Sequence, residues 1–270
     1  MRWEVRATGP RTGAPLLLLH GFTGRGISWA PLARRMVALG RNVIVVDLPG
    51  HGRTGGTATN PQDATVERTA DDLAEILDNL HAAPADVIGY SLGARIALRL
   101  AVAHPAAVNR LVLESPSAGI ADPGARSERR DADERLAQAI ERDGIERFVA
   151  DWERNPVFAS HAATMRADRA DRQRRIRLAN RPTGLSLSLR GAGQGAMEPL
   201  HERLAAIEAR TLVIAGTLDT IGLPRARAVA AAIPGATLRE IANAGHTPHD
   251  EQPIAFTRLV THFLAGDPVA

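Results

Sequence analysis

Short apolar runs alternate along this chain with longer segments in which apolar residues recur at every third or fourth position. Short apolar runs bounded by glycine and proline are typical of strands that are buried on both faces of a sheet. The longer segments have the period of helices with one apolar face. Regular alternation of the two patterns predicts a mostly parallel sheet with helices on both faces, an α/β fold.

The pattern places each predicted element within narrow limits. An edge strand is expected to begin within Trp3 to Val5. Buried strands are predicted at Leu16 to His20, Asn42 to Asp47, Asp86 to Ile88, Arg110 to Glu114, Thr211 to Ala215 and Thr237 to Ile241. Helices are predicted at Trp29 to Leu39, Val66 to Leu80, Leu92 to Ala103, Pro224 to Ala232 and Gln252 to Leu264. The segment 53–64 is polar and rich in turn residues.

Apolar spacing also predicts which side chains of the first two helices face the core. The inward residues are expected to be Trp29, Leu32, Met36 and Leu39 in the first helix, and Leu73, Ile76, Leu77 and Leu80 in the second.

The alternation stops at Ser115. From Ser117 to about Gly195 no segment has the pattern of a strand, and this stretch carries 15 arginines against 12 acidic residues. We therefore predict an α/β core made of residues 1–116 and 201–270, with residues 117–200 inserted as a helical lid over the strand ends. For most of these arginines a solvated helix surface is the simpler explanation.

Composition narrows the function classes. The chain has no cysteine, which excludes disulfides and thiolate metal sites and is consistent with a reducing compartment. No histidine pair or carboxylate pair has metal-ligand spacing, so no metal is expected. The N-terminal residues lack an apolar region, and the run from Ala14 to Leu19 is too short for a signal peptide or a membrane span. We therefore expect a cytoplasmic protein without membrane insertion.

The sequence pI of about 10.6 does not indicate a nucleic-acid partner. All 33 basic residues are arginine and the net charge is only +3, so few groups lose a proton below pH 11. Basic patches interleaved with aromatic residues, which nucleic-acid binding requires, are missing. We therefore expect no nucleic-acid binding.

One short motif carries the candidate chemistry. Gly89-Tyr90-Ser91-Leu92-Gly93 follows a predicted strand and opens a predicted helix, which is the strand–turn–helix context of a nucleophile elbow. Glycines two residues before and after the serine keep side chains out of a crowded turn. An ordinary turn before a buried helix is the alternative interpretation.

A serine of this kind needs an imidazole within hydrogen-bond reach and a carboxylate that orients the ring. Asp219 follows the strand that ends at Ala215, and His246 follows the last strand, so the order Ser, Asp, His matches this fold type. We therefore predict a Ser91–His246–Asp219 triad. The backbone amides of Phe22 and Leu92 are the expected oxyanion donors.

Several motifs together resemble the α/β-hydrolase superfamily. They are LHGFTG (19–24), DLPGHG (47–52), GYSLGAR (89–95) and AGTLD followed by AGH. Narrower features resemble the menaquinone-pathway 2-succinyl-6-hydroxy-2,4-cyclohexadiene-1-carboxylate synthases. These are the arginine that ends GYSLGAR, RSERRDADERL (126–136), FVADWERNPVFAS (148–160) and RLANRPTGLSLSLRGAGQG (177–195).

The resemblance implies a carbon–oxygen lyase that needs no metal or organic cofactor. Such an enzyme removes a ring proton from 2-succinyl-5-enolpyruvyl-6-hydroxy-3-cyclohexene-1-carboxylate and expels pyruvate. Its substrate carries three carboxylates, which the forked guanidinium of arginine binds well. The residues that match the family's substrate-binding positions are Arg95, Arg129, Arg177, Tyr90 and Trp152. For Arg129 and Arg177, a solvated helix face is the alternative.

Two other functions use the same scaffold. A serine hydrolase of an ester or a carbon–carbon bond would use the same triad, but would have no reason to hold several arginines in its pocket. An idle binding protein is the third class, and an intact triad argues against it. Because this scaffold carries many chemistries, the fold alone does not decide among them.

Overall fold

A computed structural model describes residues 1–55 and 60–267 of the protein. The described strands form one sheet in the order β1-β3-β2-β4-β5-β6-β7, in which only β1 is antiparallel to its neighbour. The strands are β1 (Val5–Thr8), β2 (Pro15–Leu19), β3 (Asn42–Val46), β4 (Ala85–Tyr90), β5 (Val108–Glu114), β6 (Arg210–Gly216) and β7 (Thr237–Ile241). The predicted mostly parallel sheet is confirmed, and β1 lies at its edge as expected.

Ten α-helices occur within the described ranges. They are α1 (Ala30–Ala38), α2 (Val66–Asn79), α3 (Leu92–Ala103), α4 (Pro123–Trp152), α5 (His161–Thr164), α6 (Ala167–Leu178), α7 (Pro182–Ala192), α8 (Gly222–Ala232), α9 (Pro248–Glu251) and α10 (Pro253–Ala265). None of these helices is long and apolar enough to cross a membrane.

The sheet has an apolar layer on each face. Because strand side chains alternate between faces, Leu17 and Leu19 belong to one layer and Leu16 and Leu18 to the other. The first layer contains the buried faces of α2, α3 and α8, and the second contains those of α1 and α10. All four leucines are fully buried, as expected for a central strand covered on both sides.

Two of the residues predicted to face the core do not lie there. Leu39 is 46% exposed and Leu80 is 43% exposed. Each one follows the last residue of its helix, at the C-cap of α1 and of α2. The helical period that would turn these side chains inward ends one residue earlier, so the prediction for Leu39 and Leu80 was wrong.

Between β5 and β6 the chain is helical, and we call α4 to α7 the helical segment. Gly144 interrupts α4 with φ +81°, a left-handed conformation that glycine adopts without a steric penalty. Within the predicted turn-rich stretch 53–64, residues 56–59 lie outside the described part of the chain. Its other end forms a single turn of 3₁₀ helix at Pro61–Ala64.

The helical segment is joined to the core by direct backbone contact. A Cβ atom on Gly184 of α7 would lie 2.3 Å from the carbonyl oxygen of Gly50, and one on Gly50 would lie 2.2 Å from that of Gly184. Close by, the Asn180 side chain donates to the carbonyl of Thr23 (2.8 Å) and accepts from the amide of Gly52 (2.9 Å). The two glycines therefore allow the backbones of α7 and the core to approach more closely than any side chain at these positions would permit.

Candidate active site

Ser91 lies in the sharp turn between β4 and α3. Its backbone has φ +50° and ψ −103°, a strained conformation for a residue with a side chain. A Cβ atom at Gly89 would lie 2.4 Å from the carbonyl oxygen of Gly93, and one at Gly93 would lie 2.2 Å from that of Leu19. The turn therefore requires glycine at both positions, which is the reason for the spacing of the motif.

The three predicted triad side chains are hydrogen-bonded in sequence. His246 Nε2 lies 3.1 Å from Ser91 Oγ, and His246 Nδ1 lies 2.7 Å from Asp219 Oδ2. Asp219 lies just past β6 and His246 just past β7, so neighbouring parallel strands bring both side chains to the edge where β4 ends. The structure thus brings together residues that are far apart in the sequence.

The charge on Asp219 fixes the tautomer of His246. Burial acts to raise the pKa of Asp219, but the hydrogen bond and charge of His246 and the amide of Gly222 outweigh it and lower that pKa. An ionised Asp219 accepts only, so His246 carries its proton on Nδ1. Its Nε2 is then free to accept the proton of the Ser91 hydroxyl, which is the requirement for an activated serine.

Two residues beside Ser91 are the predicted oxyanion donors. Phe22 lies in the loop after β2, and Leu92 is the first residue of α3, where helical amides have no partner within the helix. Both residues border the same cavity as Ser91. No hydrogen bond occupies the Phe22 amide within the ranges that the structure describes.

Two buried histidines fix the loop that carries Phe22. His20 Nε2 accepts from the amide of Leu48 (2.9 Å), and His51 Nε2 accepts from the amide of Thr23 (3.1 Å). Each ring therefore carries its proton on Nδ1, beside a backbone carbonyl. Burial lowers the pKa of His20 to about 4, and burial with the neighbouring His20 lowers that of His51 to about 3.

His249 forms a buried ion pair with Glu114 at the end of β5. Glu114 Oε1 accepts from both the backbone amide and the Nδ1 of His249, each at 2.8 Å. Burial opposes a charge on this ring, but Glu114 and Asp250 outweigh it and raise the pKa of His249 to about 9. This pair ties the loop of His246 to the end of β5.

These pKa shifts predict that the protein is most stable near pH 6.5. His20 and His51 have folded pKa values below the unfolded value of 6.5, so the unfolded chain binds more protons as the pH falls and stability is lost. The contribution of His249 is complete below pH 6.5 and is lost as the pH rises towards 9. Urea midpoints measured at pH 5, 6.5 and 9 should be highest at 6.5.

One variant tests the acid and the alkaline sides of this pH dependence of stability separately. His249→Gln should flatten the alkaline side and leave the acid side unchanged, because it removes only the group whose pKa is raised. A urea midpoint that is higher at pH 5 than at pH 6.5 would contradict the neutral state assigned to His20 and His51.

A cavity of about 480 Å³ lies between the core and the helical segment and contains Ser91 and His246. Cavities of this size hold small-molecule ligands. Its ionisable lining side chains are Tyr90, Arg95, Arg129, Asp133, Arg225 and His246. With Asp133 bonded to Arg129, the lining carries an excess of positive charge that favours an anionic ligand.

Arg95 is the least exposed of the three arginines that line the cavity. It donates to the carbonyl of Ala192 (2.7 Å), and no carboxylate in the described part of the chain lies within ion-pair distance. Burial and the charge of Arg129 lower the pKa of Arg95 to about 10, so it stays charged at neutral pH. A partly buried guanidinium with only neutral partners is suited to binding an incoming carboxylate.

Arg129 lies at the cavity wall formed by α4. Its Nε donates to Asp133 (2.9 Å) and its Nη1 donates to Gln194 (3.1 Å), while 42% of the side chain stays exposed. Gln194 in turn donates to Ser117 (2.7 Å), which also borders the cavity. Arg129 is therefore held in place at the cavity with part of its donor surface free.

Arg177 is not brought to this cavity. It borders a neighbouring space of about 40 Å³, where it pairs with Glu153 (3.1 Å) and lies over the Phe158 ring. Phe22, Tyr90 and Phe158 border both spaces. Arg177 is only 9% exposed, and its charge is already balanced by Glu153.

Trp152 and Tyr90 both border the main cavity. Trp152 packs edge-to-face on Phe22, and its Nε1 is buried with no hydrogen-bond partner among the described residues. Burial and the charge of Glu114 raise the pKa of Tyr90 well above its usual value, so its hydroxyl stays protonated. The Tyr90 hydroxyl therefore keeps a proton that it can donate, whereas the buried Trp152 Nε1 would reach a ligand only after its ring shifts.

Sequence reasoning missed many of the residues that line the cavity, among them the polar side chains of Asp133, Gln194 and Arg225. Arg225 lies in the first turn of α8 and is exposed at the cavity. Its helix also contains Arg227, which pairs with Glu240 instead (2.8 Å). Nothing in the sequence pattern distinguishes an arginine that borders the cavity from one that faces solvent.

Comparison with known proteins shows which family this chain belongs to. The profile of the Alpha/beta hydrolase family matches residues 16–259. A Bacillus subtilis (strain 168) protein, assigned provisionally as a 2-succinyl-6-hydroxy-2,4-cyclohexadiene-1-carboxylate synthase, is 37% identical over 98% of this chain and 96% of its own length. The Klebsiella pneumoniae (strain ATCC 700721 / MGH 78578) synthase of that name is 31% identical over 93% of this chain and 94% of its own.

Solved structures agree with this grouping. The structure of MenH from S. aureus is similar with a TM-score of 0.90 and 30% identity, over 97% of this chain and 98% of that one. A thermophilic esterase from Thermogutta terrifontis, solved with malate bound, has a TM-score of 0.82 and 27% identity, over 98% and 93% of the two chains. The chain therefore belongs to the α/β-hydrolase superfamily and, within it, to the family of the 2-succinyl-6-hydroxy-2,4-cyclohexadiene-1-carboxylate synthases.

Proposed function

We propose that the protein is a carbon–oxygen lyase of menaquinone biosynthesis, which eliminates pyruvate from 2-succinyl-5-enolpyruvyl-6-hydroxy-3-cyclohexene-1-carboxylate. One observation carries the proposal. The cavity that contains the Ser91–His246 pair also contains Arg95, a partly buried guanidinium with no carboxylate partner among the described residues. A hydrolase of neutral esters has no use for such a group, whereas a substrate with three carboxylates does.

In this mechanism Ser91 acts as a base. Its Oγ takes the ring proton next to the succinyl carbonyl, while His246 Nε2 takes the hydroxyl proton at 3.1 Å. The C–H electron pair becomes a ring double bond, the existing double bond shifts, and the C–O bond to the enolpyruvyl group breaks. The leaving oxygen takes up the released proton, and the enol becomes pyruvate.

The oxyanion donors would stabilise this transition state. Negative charge develops on the succinyl carbonyl oxygen as the ring proton leaves. Phe22 and Leu92 border the cavity beside Ser91, and their amides are proposed to donate to that oxygen. Because His20 and His51 fix the loop of Phe22, its donor needs no rearrangement during the reaction.

The cations of the cavity would hold the carboxylates. Arg95 and Arg129 border it from α3 and α4 and are proposed as direct ligands. Trp152 and Tyr90 are proposed as hydrogen-bond donors on the aromatic wall. Arg177 stays a proposed ligand, but it would reach substrate only past Phe158 and Tyr90 and with its Glu153 pair weakened.

We also propose that residues 117–200 act as a lid on a core made of residues 1–116 and 201–270, and that the protein works in the cytoplasm. Residues 117–200 contribute Arg129, Trp152 and Gln194 to the cavity wall, which the core alone would leave open to water. Exclusion of water favours elimination over hydrolysis and strengthens each charge interaction in the cavity.

A serine hydrolase is the second candidate, because the triad geometry suits nucleophilic attack as well as proton removal. The two functions differ in the fate of Ser91. Incubation of the pure protein with the enolpyruvyl substrate should release pyruvate, measured by a coupled lactate dehydrogenase assay. Mass spectrometry during turnover should find no covalent adduct on Ser91. An acyl-serine adduct, or the absence of pyruvate, would overturn the lyase assignment.

A further inference from the structure

The mouth of the cavity carries an arginine, Arg225, that has no role in the proposed triad and is distinct from Arg95. Arg225 is exposed, borders the cavity and forms no hydrogen bond or ion pair with any other described residue. Its neighbour Arg227 on the same helix is bonded through two nitrogens to Glu240. Of the two arginines, the one that borders the cavity is thus the one without a carboxylate partner.

Arg225 approaches the cavity from the core side. It lies in the helix that begins three residues after Asp219, and Ile221 and Gly222 of the same stretch also border the cavity. Arg129 approaches from the helical segment, with nearly half of its side chain exposed. One exposed guanidinium therefore comes from each side of the cavity, while Arg95 is less exposed than either.

We propose that Arg225 is a specificity-determining residue, which binds the outermost carboxylate of a polycarboxylate substrate and draws that substrate into the cavity. This inference rests on the proposed function for the identity of the substrate, but not for the binding of a polycarboxylate. A single exposed charge contributes little to a neutral ligand and acts on a charged one mainly through association.

The test compares Arg225→Ala with Arg227→Ala, which removes the same charge from the same helix outside the cavity. For the tricarboxylate substrate, Arg225→Ala should raise KM about threefold to tenfold and leave kcat within about twofold, since an exposed contact contributes equally to ground and transition states. Raising the ionic strength from 20 to 200 mM should reduce kcat/KM in the wild type and in Arg227→Ala, and less in Arg225→Ala. Arg225→Lys should restore most of the affinity.

A binding measurement separates this inference from the proposed reaction. Titration calorimetry with propane-1,2,3-tricarboxylate should show weaker binding to Arg225→Ala than to Arg227→Ala, whether or not pyruvate is released. Weaker binding without pyruvate release would keep Arg225 as a carboxylate ligand and refute the lyase. Pyruvate release with equal KM and equal binding in the two variants would overturn the role of Arg225 and leave the lyase intact.

Discussion

Replacing Ser91 with alanine should reduce the kcat for pyruvate release by a factor on the order of 10² to 10⁴, the usual contribution of a positioned base. The reason is geometric: Ser91 Oγ is the only atom of that side chain within reach of His246 Nε2, and alanine removes it. His246→Ala should have a similar effect, because the two side chains act as one unit. Asp219→Asn should have the mildest effect, since it weakens the orientation of the ring without removing the base.

Ser188→Ala provides the control for this comparison. Ser188 borders the same cavity and is buried, and no hydrogen bond of its hydroxyl is present in the described structure. The same chemical change at this position should leave kcat within about twofold. Equal losses at Ser91 and Ser188, or full activity in Ser91→Ala, would contradict the assignment of Ser91 as the base.

The second large effect concerns Arg95. Arg95→Ala should reduce kcat/KM for the tricarboxylate about 10- to 200-fold, because a charge-assisted hydrogen bond contributes about 1.5–3 kcal/mol and its loss leaves a carboxylate unpaired in a partly dry cavity. Arg129→Ala should reduce kcat/KM by the same factor or a smaller one, since Arg129 is more exposed. Arg95→Lys should recover only part, because an ammonium group keeps the charge and loses the fork.

Arg175→Ala is the matched control, since Arg175 is exposed on α6 and borders neither space near the site. Arg177→Ala removes a cation that already pairs with Glu153. The loss of kcat/KM in Arg177→Ala should therefore exceed the loss in Arg175→Ala only if substrate reaches Arg177. Steady-state kinetics on the tricarboxylate and on a neutral ester provide both readouts. An Arg95→Ala variant that loses equal activity on both substrates would end the interpretation of Arg95 as a carboxylate ligand.

The hydrogen-bonded arrangement of Ser91, His246 and Asp219 could be predicted from the sequence because each of the three residues follows a predicted strand. In a parallel sheet the ends of such strands meet at one edge, so chain order and strand position were sufficient for Ser91, Asp219 and His246. The glycines around Ser91 are equally readable, because the close backbone contact that they allow is local in sequence.

The arginines were less predictable, and the reason is the helical segment. Helix orientation depends on tertiary contacts, which the spacing of charged residues on a polar helix does not reveal. Arg129 and Arg177 look alike in sequence, yet one borders the cavity and the other lies behind Phe158. Arg225 lies on a core helix whose inward face is apolar, so a role in the cavity could be recognised only from the structure.

The contact between Gly50 and Gly184 bears on when the active site is assembled. With α7 held at backbone distance from the core, and Asn180 bonded to the loop of Phe22, moving this part of the helical segment would also displace a proposed oxyanion donor. The entropy cost of ordering the helical segment and the Phe22 loop then arises once, during folding, and not in every catalytic cycle. Exchange of substrate and product would then occur through the mouth beside Arg225, without breaking the contact between Gly50 and Gly184.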